Sequence, residues 1–250
     1  MSVLKTIETI DFCCMRSAYS DAYVLIRKCR DDLLLFLFIW HVMKNNSSLS
    51  VEDIDGDVLK PETWTKLLEK YFSLEETKKN KEVEIAVGKW ATNDLNKRQD
   101  KKAPDYMRYF GAAAYKKYLT EKNNDVRILF EKYLSVRWNS ETVRLNNYVH
   151  ANGLRYVYDN YSYGFDKRKK DLEVIESLQN VIDIFFATLA IIDGSVLRSS
   201  DYIDALEMGI DPIEGSQYWV PLVIDEYINE RFSTELLTYI REKDVYGMEY

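Results

Sequence analysis

The stretch KRKKDLEVIESLQNVIDIFFATLAII, residues 167–192, decides the fold class. Its apolar residues Leu172, Ile175, Leu178, Ile182, Phe185, Leu189 and Ile192 recur mostly at three- and four-residue steps, with Val174, Val181 and Phe186 flanking them. That spacing follows the 3.6-residue period of an α-helix and draws one apolar stripe along it. A helix over 167–192 is expected, packed against a second long helix as the spine of a bundle. The second is expected between Thr9 and Met43, where Phe12, Met15, Tyr19, Ala22, Ile26, Leu33, Phe36 and Trp40 repeat at similar steps.

The same periodicity extends outward. Tyr106, Tyr109, Phe110, Ala113, Ala114 and Tyr118 predict one helix, and Val126, Ile128, Leu129, Tyr133 and Leu134 the next. Asn139 or Ser140 then stands as the N-cap of a helix over 141–151, with Glu141 in its first turn and Gly153 as its stop. Beyond 192, Tyr202, Leu206, Val220, Ile224, Tyr227, Leu236 and Ile240 predict two or three shorter helices. Residues 50–103 read as an insertion, with a short helix opened by Pro61 and two polar stretches around a brief apolar segment. The expected architecture is all-α: a single helical domain over 1–250, with 50–103 inserted and 201–250 as a C-terminal helical extension.

Composition agrees. Only 9 Gly and 4 Pro occur in 250 residues, too few to punctuate a many-stranded sandwich or barrel. A hydrophobic content of 46% excludes a disordered chain. The net charge of −7 argues against a broadly basic surface for nucleic acid, although it leaves room for a local basic groove. Lys78, Lys79 and Lys81, then Lys97, Arg98, Lys101 and Lys102, then the run 167–170 read first as solvated surfaces. Cys13, Cys14 and Cys29 are odd in number and have no CxxC spacing, so buried free thiols are expected, with neither a disulfide framework nor a zinc site. The first dozen residues mix acids with apolar groups and do not resemble a signal peptide. The apolar run from Leu33 to Val42 is about half of what a bilayer span needs. A cytoplasmic protein without a membrane partner is expected.

Chemistry concentrates at one place. Of the two histidines, His41 lies inside the Leu33–Met43 apolar run and reads as a hydrogen-bonded core or boundary residue. His150 closes the string Arg144-Leu145-Asn146-Asn147-Tyr148-Val149-His150. Asn146 precedes it by four residues, so the two share a helical face, about 40° apart. Arg144 lies about 120° away and has to reach round the helix end. A titratable imidazole, a permanent cation and carboxamide donors suit cleavage of RNA, whose 2′-hydroxyl is a built-in nucleophile. The imidazole moves a proton at the attacking or leaving oxygen, and the guanidinium balances charge on the phosphorus oxygens. No Ser-His-Asp, P-loop, GxGxxG, HExxH or EF-hand pattern competes. No Glu-x-x-His pair supports a metal-dependent enzyme on the bundle.

This string resembles the Arg-x4–6-His motif of the HEPN superfamily, with Arg144 and His150 as its ends. Leu145 stands where many members have a polar residue after the arginine, while Asn146 keeps the spacing of the common Arg-Asn-x3-His form. Arg30-Asp31-Asp32 before an apolar run is also similar to the opening helix of many members. The resemblance covers 1–45 and 104–200 and implies a HEPN-like helical bundle. It further implies a metal- and cofactor-independent endoribonuclease acting on single-stranded or loop RNA, tRNA included. Such an enzyme would be a homodimeric toxin or effector in anti-phage defence with a cognate regulator or defence-system partner protein. Arg144 and His150 would be its catalytic residues, Asn146 and Asn147 would orient substrate or histidine, and Tyr156 and Tyr158 would stack on unpaired bases.

A second reading stands beside it. In this reading Arg144 pairs with an acid such as Glu141, Tyr148 packs inward, and the chain is a non-catalytic helical binding or scaffold protein in a defence or toxin–antitoxin complex. The 19 tyrosines suit a protein-binding surface.

Overall fold

The fold is all-α. The computed structural model describes residues 3–45, 111–149 and 166–250, and in it the N-terminal apolar run forms two helices rather than one. α1 spans Val3–Met15 and α2 spans Tyr19–Asn45. The break is a Schellman-type cap: Ala18 N donates to Cys13 O (2.8 Å) and Ser17 N to Cys14 O (3.0 Å). Ser17 takes the left-handed conformation this needs, with φ of 56°. Glycine usually marks such a stop, so a serine there left no sign in the sequence.

α3 (Ala112–Lys122) ends before Asn123, whose side chain accepts from Asp125 N and Val126 N and so caps α4 (Asn124–Ile128). α4 continues into a single π-helical turn, Leu129–Tyr133, closed by Leu134 N on Leu129 O at 3.0 Å. Val126, Phe130, Leu134 and Trp138 are all buried and spaced by four. In a pure α-helix each four-residue step drifts about 40° round the axis, and the wider turn takes up that drift.

α5 spans Ser135–Val149, so the expected start at Glu141 is corrected by half a dozen residues. The residues expected to cap it lie mid-helix, and Ser140 Oγ donates back to Arg137 O (3.0 Å). Packing extends the helix upstream: Trp138 is buried, edge-on to Phe130 and beneath the Arg30 guanidinium at 5.7 Å. The expected end near Gly153 lies outside the described residues, as do the insertion at 50–103 and the aromatic positions Tyr106, Tyr109 and Phe110.

α6 spans Lys167–Asp193, matching the expected helix to within a residue. Its buried face is rotated from the predicted one. Val174, Ser177, Val181, Ile184 and Thr188 are buried, whereas Leu172 is 57% and Ile175 48% exposed. Two hydroxyls on that face disguise it as polar. Both are satisfied, Thr188 Oγ1 by Ile184 O (2.7 Å) and Ser177 Oγ by Glu141. Asp166 caps the helix through Lys169 N, and the basic start of the run is tied down by Lys167–Asp171 and Lys170–Glu173 pairs. The segment Lys167–Glu207 has the length and apolarity to cross a membrane, but 67% of its most apolar window is buried inside the protein, as in a soluble core helix.

Three shorter helices follow: α7 (Asp201–Glu207), α8 (Leu222–Arg231) and α9 (Thr234–Lys243). Short 3-10 turns precede α7 and α8, and an isolated bridge joins Trp219 to Glu249. The chain divides into two units, Met1–Leu33 with Thr120–Tyr250, and Leu34–Leu119. In the first, α1, α2, α5 and α6 share one core around Ile10, Tyr23, Ile26, Leu145 and Val181. Tyr23 and Tyr148 stack within it, centroids 4.1 Å apart. In the second, Phe38 stacks on Tyr115, and the buried His41 ring stands edge-on to Tyr118 at 5.6 Å. Asn45 donates to His41 O at 2.7 Å, so His41 is a boundary residue built into α2.

Candidate functional site

The buried stripe that runs from Leu134, just before α5, along the helix reads Leu134, Trp138, Glu141, Leu145, Tyr148, at steps of four, three, four and three. One member is a carboxylate. Glu141 is only 1% exposed, a position at which an ionised group needs partners to offset lost hydration. It has three. Ser177 Oγ donates at 2.5 Å, Asn180 Nδ2 at 3.0 Å, and Arg144 Nη1 stands 3.4 Å away, one helical turn on. The Arg144 contact is an ion pair without a hydrogen bond, Nη1 being buried, while 21% of the side chain remains exposed.

A second buried carboxylate lies further along α6. Asp183 is fully buried and accepts from Tyr227 Oη (2.7 Å) and from Arg231 Nη2 (2.9 Å), both on α8. Arg137 Nη1 of α5 approaches the same Oδ2 atom at 3.2 Å. Burial, then the bond to Asp183, pushes the Tyr227 hydroxyl pKa up, so it stays a neutral donor. The bond to Asp183 raises Arg231 further above its ordinary value. Arg137, Glu141 and Arg144 thus line one flank of α5, opposite Ser177, Asn180 and Asp183 of α6. No protein-family model, curated protein or solved structure matches this chain.

Of the residues singled out in the sequence, Arg144, Asn146 and Asn147 are described, all three partly buried. Arg144 and Asn147 share a flank, about 60° apart, whereas Asn146 lies about 200° round the axis from Arg144. The helix therefore brings two of the three together and sends Asn146 to the other side. His150, Tyr156 and Tyr158 lie outside the described residues. Tyr148 packs inward, 3% exposed.

The residues that sequence reasoning missed are Glu141 as a buried hub, Ser177, Asn180, and the Arg137–Asp183–Arg231–Tyr227 set. Two signals pointed to them. Glu141 sits in register with Trp138, Leu145 and Tyr148, and Asp183 is a single acid inside the apolar run Val181–Phe186. Among the described residues, no group of three His, Cys, Asp or Glu side chains is placed to hold a metal ion.

Proposed function

We propose that this chain is a metal-independent endoribonuclease of HEPN type, cleaving single-stranded or loop RNA as a toxin or effector in anti-phage defence. The observation that carries it is the Arg144 guanidinium on α5, at the head of the Arg144–His150 string, ion-paired with the buried carboxylate of Glu141 and partly open to solvent. The charge of Glu141 favours one placement of the guanidinium before substrate arrives, and preorganised charge stabilises a transition state better than a mobile one.

In the proposed reaction the 2′-hydroxyl attacks the adjacent phosphorus while the 5′-oxygen leaves. Products are a 2′,3′-cyclic phosphate and a 5′-hydroxyl end. His150 takes the proton from the nucleophile or returns one to the leaving oxygen, and Arg144 balances charge on the non-bridging oxygens. Asn147, on the Arg144 flank, orients the phosphate. The enzyme works in the cytoplasm, as a homodimer, under a cognate partner protein.

The test is incubation of the purified protein with labelled single-stranded RNA and tRNA in EDTA. Cleavage leaving cyclic phosphate ends, abolished in a folded His150→Ala variant, is the expected result. An inert wild-type protein, or a His150→Ala variant that cleaves equally well, refutes the assignment.

One observation favours a second reading. Arg144 already has an anionic partner in Glu141, as it would in a non-catalytic HEPN-like helical binding or scaffold protein. That protein would form a stable complex with a defence-system partner and leave RNA intact.

A further inference from the structure

Asp183 brings two guanidiniums to a single oxygen. Arg137 Nη1 and Arg231 Nη2 lie 3.2 and 2.9 Å from Oδ2, so the two nitrogens are at most about 6 Å apart. One carboxylate cannot neutralise both, and the hydroxyl of Tyr227 already shares it. One positive charge is in surplus. About a quarter of each arginine side chain is exposed. Arg231 spends Nε and Nη2 on Asp183 and Arg137 spends Nη1, which leaves donors on both planes without a protein acceptor among the described residues. Guanidinium-to-oxyanion bonds run about 2.7–2.9 Å, so two nitrogens at this spacing bracket one anionic oxygen. They do so inward with Asp183, and none of the donors left over on the two planes is a buried unpaired atom, so these donors are open to solvent.

We infer that Arg137 and Arg231 form a phosphate clamp for the backbone of single-stranded RNA, held rigid by Asp183 at the junction of α5, α6 and α8. The clamp rests on the RNA reading of the Arg144 site. Arg137 and Arg144 are two turns apart on one flank of α5, about 10 Å along the axis. A strand laid on that flank meets Arg144 at one phosphate and the clamp at another. The surplus charge is local, which reconciles it with a chain of net charge −7.

The experiment measures binding without cleavage. A fluorescein-labelled ten-nucleotide RNA, 2′-O-methylated so that it has no nucleophile, is titrated with wild type, Arg137→Gln, Arg231→Gln and the double Lys variant across a range of KCl. Each Gln variant is expected to bind more weakly, with the log–log salt slope shallower by about 0.7, the value for one lost contact to a single strand. The double Lys variant keeps the charge and is expected to keep the slope even if its melting temperature falls. A purely structural pair would lower melting temperature in all three variants and leave affinity and slope at wild-type values, which overturns the clamp. Wild type that does not bind the oligomer overturns it as well. So does displacement by inorganic phosphate at constant ionic strength, which makes the free ion the occupant. Cleavage of unmodified RNA separates the two claims: if wild type binds the methylated oligomer but leaves unmodified RNA intact, the clamp holds and the nuclease reading fails.

Discussion

Glu141 and Asp183 show how much an individual side chain can hide. Each occupies a position that an aliphatic residue would fill, and each is kept there by donors from other helices. From sequence alone an acid at a core position looks like an interruption, because its partners Ser177 and Asn180 are common surface residues. Arg144 and its pairing with Glu141 were legible; the burial of that acid and the donors that hold it were not. Asp183→Ala removes the acceptor of two guanidiniums and one phenol while leaving them packed in place. Its unfolding free energy is expected to fall by about 3 kcal/mol, read from urea denaturation. Ser17 provides the opposite case. A serine at φ of 56° has about 1 kcal/mol of backbone strain that glycine lacks. Ser17→Gly is expected to stabilise the protein by about 0.5–1 kcal/mol, seen as a higher urea midpoint at unchanged slope.

At the scale of elements, existence and type were legible and phase was not. α6 appeared where its periodicity put it, yet the buried stripe runs through Ser177 and Thr188 rather than through Leu172 and Ile175. Apolarity counts carbon and misses hydroxyls that bond within their own helix or to a buried acid. α5 began four to five residues before its best capping signals, Asn139 and Ser140, because Trp138 had a packing partner in Phe130 and a cation in Arg30. The break between α1 and α2 carried no glycine to announce it. These misses share a cause: a local signal of about 1 kcal/mol is outweighed by burial of a large side chain. The register of α5 also bears on the candidate site, since it sets Arg137, Glu141 and Arg144 on one flank and Asn146 on another.

The whole molecule has a pH response written into its buried acids. Burial, then the charge of Asp171, holds the Cys14 thiol up at about 11, and burial with Asp32 does the same for Cys29. Burial and Asp125 hold the Tyr239 hydroxyl at about 12. In the unfolded chain these groups titrate near 8.5 and 10. As pH rises past roughly 8.5 the unfolded chain releases protons that the folded one keeps, so stability must fall there and go on falling to about 12. The urea midpoint, followed from pH 7 to 10.5, is expected to hold level to about 8.5 and then decline. A midpoint that is flat through 10.5 would contradict the burial of these thiols and phenols. Finally, the wide turn at Leu129–Tyr133 makes chain length a form of information. It holds one residue more than an α-turn, a slack that a codon lost there would take up by closing it to an ordinary α-turn, whereas a codon lost from the first turn of α5 would swing the rest of that helix by about 100°. Every side chain named in the site could be kept, and the flank carrying Arg137 and Arg144 would still face the wrong neighbour. In this stretch the tally of residues, more than their chemistry, aims the helix.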